Sequence, residues 1–143
     1  MRSIALFAAA LLLAASPAWA SAPPKADKAA ADAGQYVDLL PVGLPVVAQG
    51  KVVNYVFVHV RINLSSGANG AKLRDKEPFF RDALVRAGHR TPFTLASDYG
   101  RIDEVRLSAS LKREAEAIAG AGQVRSVAVT QQAPRHRVVT PRT

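Results

Sequence analysis

His89, Ser97 and Asp98 are the residues of this chain whose types could support nucleophilic catalysis, and His59 could act as a ligand or a proton acceptor. His59 falls in the middle of a predicted strand, and His89 falls near the end of a predicted helix. Histidine, serine and aspartate side chains together can activate a hydroxyl nucleophile for hydrolysis. No Gly-x-Ser-x-Gly turn surrounds Ser97, so the local geometry that presents such a nucleophile is missing. We therefore predict structural roles for these side chains and a protein that is not an enzyme.

The spacing of potential ligands also argues against a metal site. No histidine lies three or four residues from another, the spacing that places two ligands on one helix face, and the sequence contains no cysteine. Disulfide bonds, thiolate zinc sites and thiol catalysis are therefore excluded. The glycine-containing loop at residues 67–70 lacks the Gly-Lys-Ser/Thr ending of a phosphate-binding loop. We predict no metal and no cofactor, and we infer no small-molecule substrate.

The chain is strongly basic, because 19 lysines and arginines against 11 acidic residues give a net charge of +8. Arg135, Arg137 and Arg142 lie in a polar tail, residues 133–143, that contains no acidic residue. A basic exported protein can bind anionic lipid, an acidic polymer or an acidic partner, whereas nucleic acid is not expected outside the cytoplasm. Two interpretations of the tail stay open: it docks on an anionic envelope surface, or it is a disordered end without a partner.

The first 20 residues have the three-part layout of a secretory signal peptide. Arg2 is followed by an apolar run at residues 4–15 and by a small-residue ending at Ala20. The apolar run is shorter than the roughly 20 residues of a membrane-spanning helix. We expect cleavage after Ala20 and a periplasmic protein; the alternative is an uncleaved segment that anchors the chain in the inner membrane. Residues 21–34, rich in Ala, Pro, Lys and Asp, are predicted to be a flexible spacer.

Residues 35–132 are predicted to form one domain. Residues 36–47 are apolar but interrupted by Pro41 and Pro45, which favours an edge strand or two short extended pieces. Residues 52–64 show the clearest strand pattern. Apolar residues alternate there on one parity, with Asn54 as the polar exception, at Val52, Val56, Val58, Val60, Ile62 and Leu64. The alternate positions, residues 53–63, carry a mixture of apolar and polar side chains. A third strand is predicted at residues 123–131.

Two helices are predicted between the second and third strands. Residues 71–89 carry an apolar stripe of Leu73, Phe80, Leu84 and Ala87, with Asp75 as the expected N-cap of the regular helix and Gly88 as its stop. Residues 101–119 carry a second stripe of Leu107, Leu111, Ala115 and Ile118, preceded by Ser97 and Asp98 as capping residues. The order β-β-α-α-β predicts an α+β fold with an antiparallel sheet of about three strands and two helices on one face.

A sequence motif at residues 76–85, KEPFFRDALV, follows the long aliphatic strand and an extended YVDLLP segment at residues 36–41. This arrangement resembles the periplasmic domain of the flagellar basal-body-associated FliL family, whose pattern includes a strand like residues 52–64 and a helix carrying Pro-x-x-Arg-Asp-Ala-Leu. The matching residues are Pro78, Arg81, Asp82, Ala83 and Leu84. The resemblance spans residues 36–131. It implies a fold similar to the stomatin-like (SPFH) domain, association into rings around the ion-driven stator units of the flagellar motor, and no catalysis.

We therefore expect a non-enzymatic periplasmic protein that acts through a protein partner or through self-association at the flagellar basal body. Phe79 and Val85 lie off the apolar stripe of their helix, and with Arg81 and Asp82 they are the candidate interaction residues. A broad buried helix face is the alternative for Phe79 and Val85. The alternative function is a general envelope-binding module that uses its basic tail on anionic lipid or polymer.

Overall fold

The computed structural model describes residues 34–137. The predicted signal peptide, most of the predicted spacer and Arg142 lie outside these residues. The described part is an α+β unit with a four-stranded antiparallel sheet and three helices, which confirms the predicted fold class. The strands are β1 (Tyr36–Asp38), β2 (Val42–Ala48), β3 (Lys51–Leu64) and β4 (Val124–Pro134). The helices are α1 (Gly70–Arg74), α2 (Glu77–Arg90) and α3 (Glu104–Ala119).

The long strand β3 organises the sheet, because every other strand pairs with it. Both β1 and β2 lie end to end along one edge of β3, with pairs such as Val37 with Ile62 and Val42 with Val58. The other edge pairs with β4. The sheet therefore has four strands where about three were expected, because residues 36–47 form the two short extended pieces that were the alternative to one edge strand. Pro41 lies at the break, where its missing N–H cannot continue a ladder.

The alternation predicted for β3 is present over most of its length. Its buried side chains, each at most 1% exposed, are Val56, Val58, Val60, Ile62 and Leu64. Val52 was predicted on this face but is 53% exposed. A register irregularity between Val46 and Val47 pairs them with Asn54 and Val52, so Val53 has no residue opposite it. Such a bulge reverses which side chains face the core beyond it.

The predicted helix at residues 71–89 is two helices in the structure. Asn69 caps α1 by accepting a 3.0 Å hydrogen bond from the Lys72 N–H. Asp75 does not cap α2, which instead follows Lys76 without a side-chain cap. Pro78 lies in the first turn of α2, where its missing N–H costs nothing.

Two predicted helix boundaries are also wrong. Gly88 does not stop α2, which continues to Arg90; a Cβ at residue 88 would lie 2.7 Å from Leu44 Cδ2, so glycine permits the close approach of helix and strand. Helix α3 begins at Glu104 rather than at residue 101. Its N-cap is Asp103, whose side chain accepts a 3.0 Å bond from the Arg106 N–H.

The core lies between the helices and one face of the sheet. Helix α2 packs against β2, α3 packs against β4, and the two helices contact each other. Both predicted apolar stripes face this core: Leu73, Phe80, Leu84, Ala87, Leu107, Leu111 and Ala115 are buried, and Ile118 is partly buried. Within residues 34–137, no helix has the length and apolar character needed to cross a membrane.

The folded unit extends beyond the predicted boundary at residue 132. Strand β4 continues to Pro134, and the Arg135 N–H donates a 2.8 Å hydrogen bond to the Tyr55 carbonyl. The buried Asn54 side chain donates a 2.8 Å hydrogen bond to the His136 carbonyl. Residues 133–137 therefore belong to the sheet and its end, and the prediction of a disordered tail from residue 133 is wrong for them.

Candidate functional site

The face of the sheet opposite the core keeps several large side chains exposed. Its side chains alternate with the core residues of β3 and continue onto β1. We call Tyr36, Asp38, Val53, Phe57 and Arg61 the open sheet face. The three apolar members remain substantially exposed, at 39% for Tyr36, 40% for Val53 and 44% for Phe57. Exposed aromatic and aliphatic side chains on one rigid sheet form a surface that gains free energy when a partner covers it.

Arg61 is held in a fixed orientation at one end of the open sheet face. Its Nε and Nη2 atoms donate hydrogen bonds of 2.7 Å and 2.9 Å to the two carboxylate oxygens of Asp38, the residue opposite it on β1. The guanidinium carbon lies 3.9 Å from the ring centroid of Tyr36. A bidentate ion pair stacked on an aromatic ring is a geometry that arginine supports and lysine does not.

The same contacts change the proton affinity of Arg61. Hydrogen bonding to Asp38 raises the pKa of the guanidinium above its already alkaline ordinary value, and the nearby charge of Asp38 acts in the same direction. A raised folded-state pKa contributes stability that is lost only when the pH rises through that value. Arg61 is therefore charged throughout the physiological range, and the open sheet face presents a paired cation rather than a titrating one.

Phe57 occupies the centre of the open sheet face. It pairs with Gly43 of β2, and a Cβ at residue 43 would lie 3.2 Å from Phe57 Cε1. The ring therefore lies across the glycine backbone, where a larger residue would push it away. Aromatic residues and arginine are enriched at protein interfaces, so the combination of Phe57, Tyr36 and Arg61 is typical of a protein-binding surface.

The interaction residues predicted on α2 are separated by the structure. Phe79 is 62% exposed in the first turn, whereas Val85 is partly buried and packs against the core. The broad buried face thus accounts for Val85 and not for Phe79. Arg81 lies 3.8 Å from Glu77, and Asp82 lies 2.9 Å from Arg86, so these two neighbours each pair along the helix rather than with each other. Exposed i,i+4 pairs of this kind contribute little to stability.

Two of the three arginines predicted as tail contacts lie in the described chain. Arg135 and Arg137 are exposed at the end of β4. Neither forms an ion pair within residues 34–137. Their guanidinium groups are therefore available to an anionic surface, and the hydrogen bonds of Arg135 and His136 to β3 fix where the tail leaves the domain.

The structure does not assemble the histidines and Ser97 into a catalytic group. His89 Nδ1 lies 2.9 Å from the Val85 carbonyl of its own helix, and Asp98 Oδ1 accepts a 2.8 Å bond from the Gly100 N–H. His59 is half-buried on β3, and Ser97 is exposed. In the part of the chain that the structure describes, no three His, Asp or Glu side chains are grouped closely enough to hold a metal ion.

Sequence reasoning missed most of the open sheet face as a site. The alternate positions from residue 53 to residue 63 carry both polar and apolar side chains, which identifies them as the side of β3 away from the core. The pairing of Arg61 with Asp38 could not be predicted in this way, because it depends on the register between residues 23 positions apart. The comparison with known proteins adds no assignment. No protein-family model matches the chain, and no curated protein is significantly similar to it.

Proposed function

We propose that this chain is an exported, non-enzymatic envelope protein whose FliL-like domain works through protein–protein contacts. The observation that carries the proposal is the open sheet face, with Phe57 and Tyr36 exposed beside the ordered Arg61–Asp38 pair. Fully burying one large apolar side chain contributes roughly 1.5–3 kcal/mol, so a partner that covers this face gains useful binding energy without a catalytic group.

The flagellar motor is the proposed place of action, and it rests on the resemblance at residues 76–85. The motif residues divide into two sets in the fold. Ala83 and Leu84 are buried, whereas Arg81 and Asp82 are on the helix surface. Ala83 and Leu84 contribute to the core. The side chains of Arg81 and Asp82, together with Phe79, are available for recognition by a partner. The proposed partner is the ion-driven stator or a second copy of the chain.

The proposal is tested by comparing partner capture by two variants of the full-length chain. Val53→Ser with Phe57→Ser removes apolar surface from the open sheet face. Val105→Ser is the matched control, because Val105 is 80% exposed on α3. Chemical cross-linking in the envelope fraction followed by mass spectrometry should show a partner with the wild type and the control and little with the double variant. Equal capture by all three proteins would contradict the proposal.

Export is tested by the N-terminal residue of the mature protein and by cell fractionation. Ser21 at the N-terminus in the soluble periplasmic fraction supports the exported, diffusible form. An intact residue 1 in the inner-membrane fraction supports the anchored form, in which the chain stays beside a membrane partner. Recovery in the cytoplasm with an intact N-terminus would contradict export.

A second candidate function is binding to an anionic envelope surface through the basic tail. It is favoured by the exposed side chains of Arg135 and Arg137 at the end of β4, which form no ion pair within residues 34–137. The test removes residues 138–143 and replaces these two arginines by glutamine, which leaves β4 intact. At low salt, less of this variant than of the wild type should sediment with phosphatidylglycerol vesicles. Sedimentation of the wild type should vanish as added salt screens the charges. Unchanged sedimentation would refute the role of the tail.

A further inference from the structure

A groove of about 600 Å³ lies between the end of α2 and the outer side of α3, away from the residues of the open sheet face. Its basic lining residues are Arg90, Arg106 and Arg113, and we call it the arginine groove. The buried Ala87 and Phe93 lie at its floor. Its lining also includes small side chains, among them Ala109 and Ala117.

The three arginines carry charge that the described chain does not neutralise. None of them forms an ion pair within 4.0 Å in residues 34–137, whereas Arg61, Arg81, Arg86 and Arg101 each do. Glu114 is the one acidic residue of the lining, so the groove has a formal charge of +2 from three arginines and one glutamate. Like charges held near one another repel, and an anionic ligand would relieve that repulsion.

The spacing of the arginines indicates what kind of anion fits. Arg106 and Arg113 are seven residues apart on α3, which places them on one helix face about 10 Å apart along the axis. Arg90 approaches from the last turn of α2, where the negative end of the helix dipole partly balances its charge. Separated guanidinium groups along an open trough suit a ligand with several separated carboxylates rather than a single phosphate.

We propose that the arginine groove docks an extended acidic segment of a protein partner. In a segment extended as a polyproline II helix, with three residues per turn and a rise of about 3.1 Å, acidic side chains three residues apart lie on the same side about 9 Å apart. This spacing is close to that of Arg106 and Arg113 along α3. The alanines and Phe93 give apolar contact to the residues between them. A flat lipid surface fits less well, because the lining residues come from two helices and the segment between them and enclose a groove of about 600 Å³ rather than a flat patch. This assignment rests on the proposed function as a protein-binding module and names one class of partner.

The test measures binding of a labelled peptide by fluorescence anisotropy, using the full-length chain. The probe is a capped peptide with glutamate at every third position and alanine or serine between, and its glutamine counterpart is the control ligand. Arg106→Gln with Arg113→Gln removes two groove charges. Lys51→Gln with Lys72→Gln removes the same charge from exposed positions outside the groove.

The groove variant should weaken binding of the acidic peptide by about tenfold, as expected for two lost charge contacts, and the lysine variant should change it by about twofold or less. Glu114→Gln should tighten binding by about twofold, because it removes the opposing charge. The glutamine peptide should not bind measurably. These single-charge changes are on exposed or half-buried side chains, and thermal melts of each variant verify that the fold is intact.

Three results would overturn the proposal. The first is an equal loss of peptide affinity in the arginine variant and the lysine variant. The second is unchanged peptide affinity in Glu114→Gln. The third is an arginine variant that loses binding to phosphatidylglycerol vesicles but keeps its binding to the peptide. The last result would assign the groove to lipid. None of them alters partner capture through Phe57, so failure of the arginine groove is distinguishable from failure of the proposed function.

Discussion

Asn54 offers the sharpest test of how the fold holds its C-terminal end. It is the buried polar side chain of the described core, at 3% exposure. Its Nδ2 donates to the carbonyls of Tyr99 and His136 at 3.0 Å and 2.8 Å. Its Oδ1 accepts from the N–H groups of Tyr55 and His136 at 2.9 Å and 3.2 Å. One amide therefore joins β3, the loop before α3 and the residue that follows Arg135.

Replacing Asn54 by alanine should lower the free energy of unfolding by about 2–4 kcal/mol. Four hydrogen bonds at about 1 kcal/mol each set the upper end, and water reaching the half-exposed partners sets the lower end. Asn63→Ala is the matched control. Asn63 is half-buried on the same strand and donates one 2.9 Å hydrogen bond to Ser126 Oγ, so its removal should cost about 1 kcal/mol.

The assay is urea denaturation of both variants, with trypsin cleavage after Arg135 and Arg137 as a second measurement. Loss of the two Asn54 bonds to His136 should free this segment and accelerate cleavage in Asn54→Ala but not in Asn63→Ala. Equal destabilisation by the two substitutions, together with equal cleavage rates, would refute the reasoning. It would mean that Asn54 does not fasten the end of β4.

Three further predictions concern individual side chains of the surface and core. A double-mutant cycle between Asp38→Asn and Arg61→Ala, measured in urea, should give a coupling of about 0.5–1 kcal/mol that shrinks with added salt, since the pair is exposed; a coupling insensitive to salt would contradict this. Phe80→Ala should cost about 3–5 kcal/mol, whereas Phe79→Ala should preserve stability within about 0.5 kcal/mol and reduce the oligomer mass seen by light scattering. Unchanged mass would argue against self-association through Phe79. Val85→Ala should cost about 1 kcal/mol in thermal unfolding because it packs on the core, and a neutral effect would place it with Phe79 instead.

The main elements of the fold could be predicted because their signals are local. Alternation over Val56–Leu64 and the stripes of the two long helices follow from the periods of strand and helix. The exposure of Val52 could not be predicted, since it depends on a bulge in the pairing with β2. Gly88 carried a local stop signal, but the packing of α2 against Leu44 determines that position.

The candidate surfaces depend still more on tertiary structure. Arg61 acquires its orientation from Asp38 and Tyr36, which are more than 20 residues away in sequence. The arginine groove brings Arg90 to Arg106 and Arg113 from different helices. Sequence reasoning could identify Phe79 as lying off the apolar stripe, because that required only the helix period.

We propose that the chain works by placing its open sheet face against another protein. The most direct measurement introduces a photoreactive amino acid at position 57 of the full-length chain in its own cells and determines the mass of the cross-linked product. Position 105, where Val105 of α3 is 80% exposed, is the control. A discrete protein adduct from position 57 and none from position 105 is the predicted result. No protein adduct from position 57, or the same adducts from both positions, would contradict this role of the open sheet face.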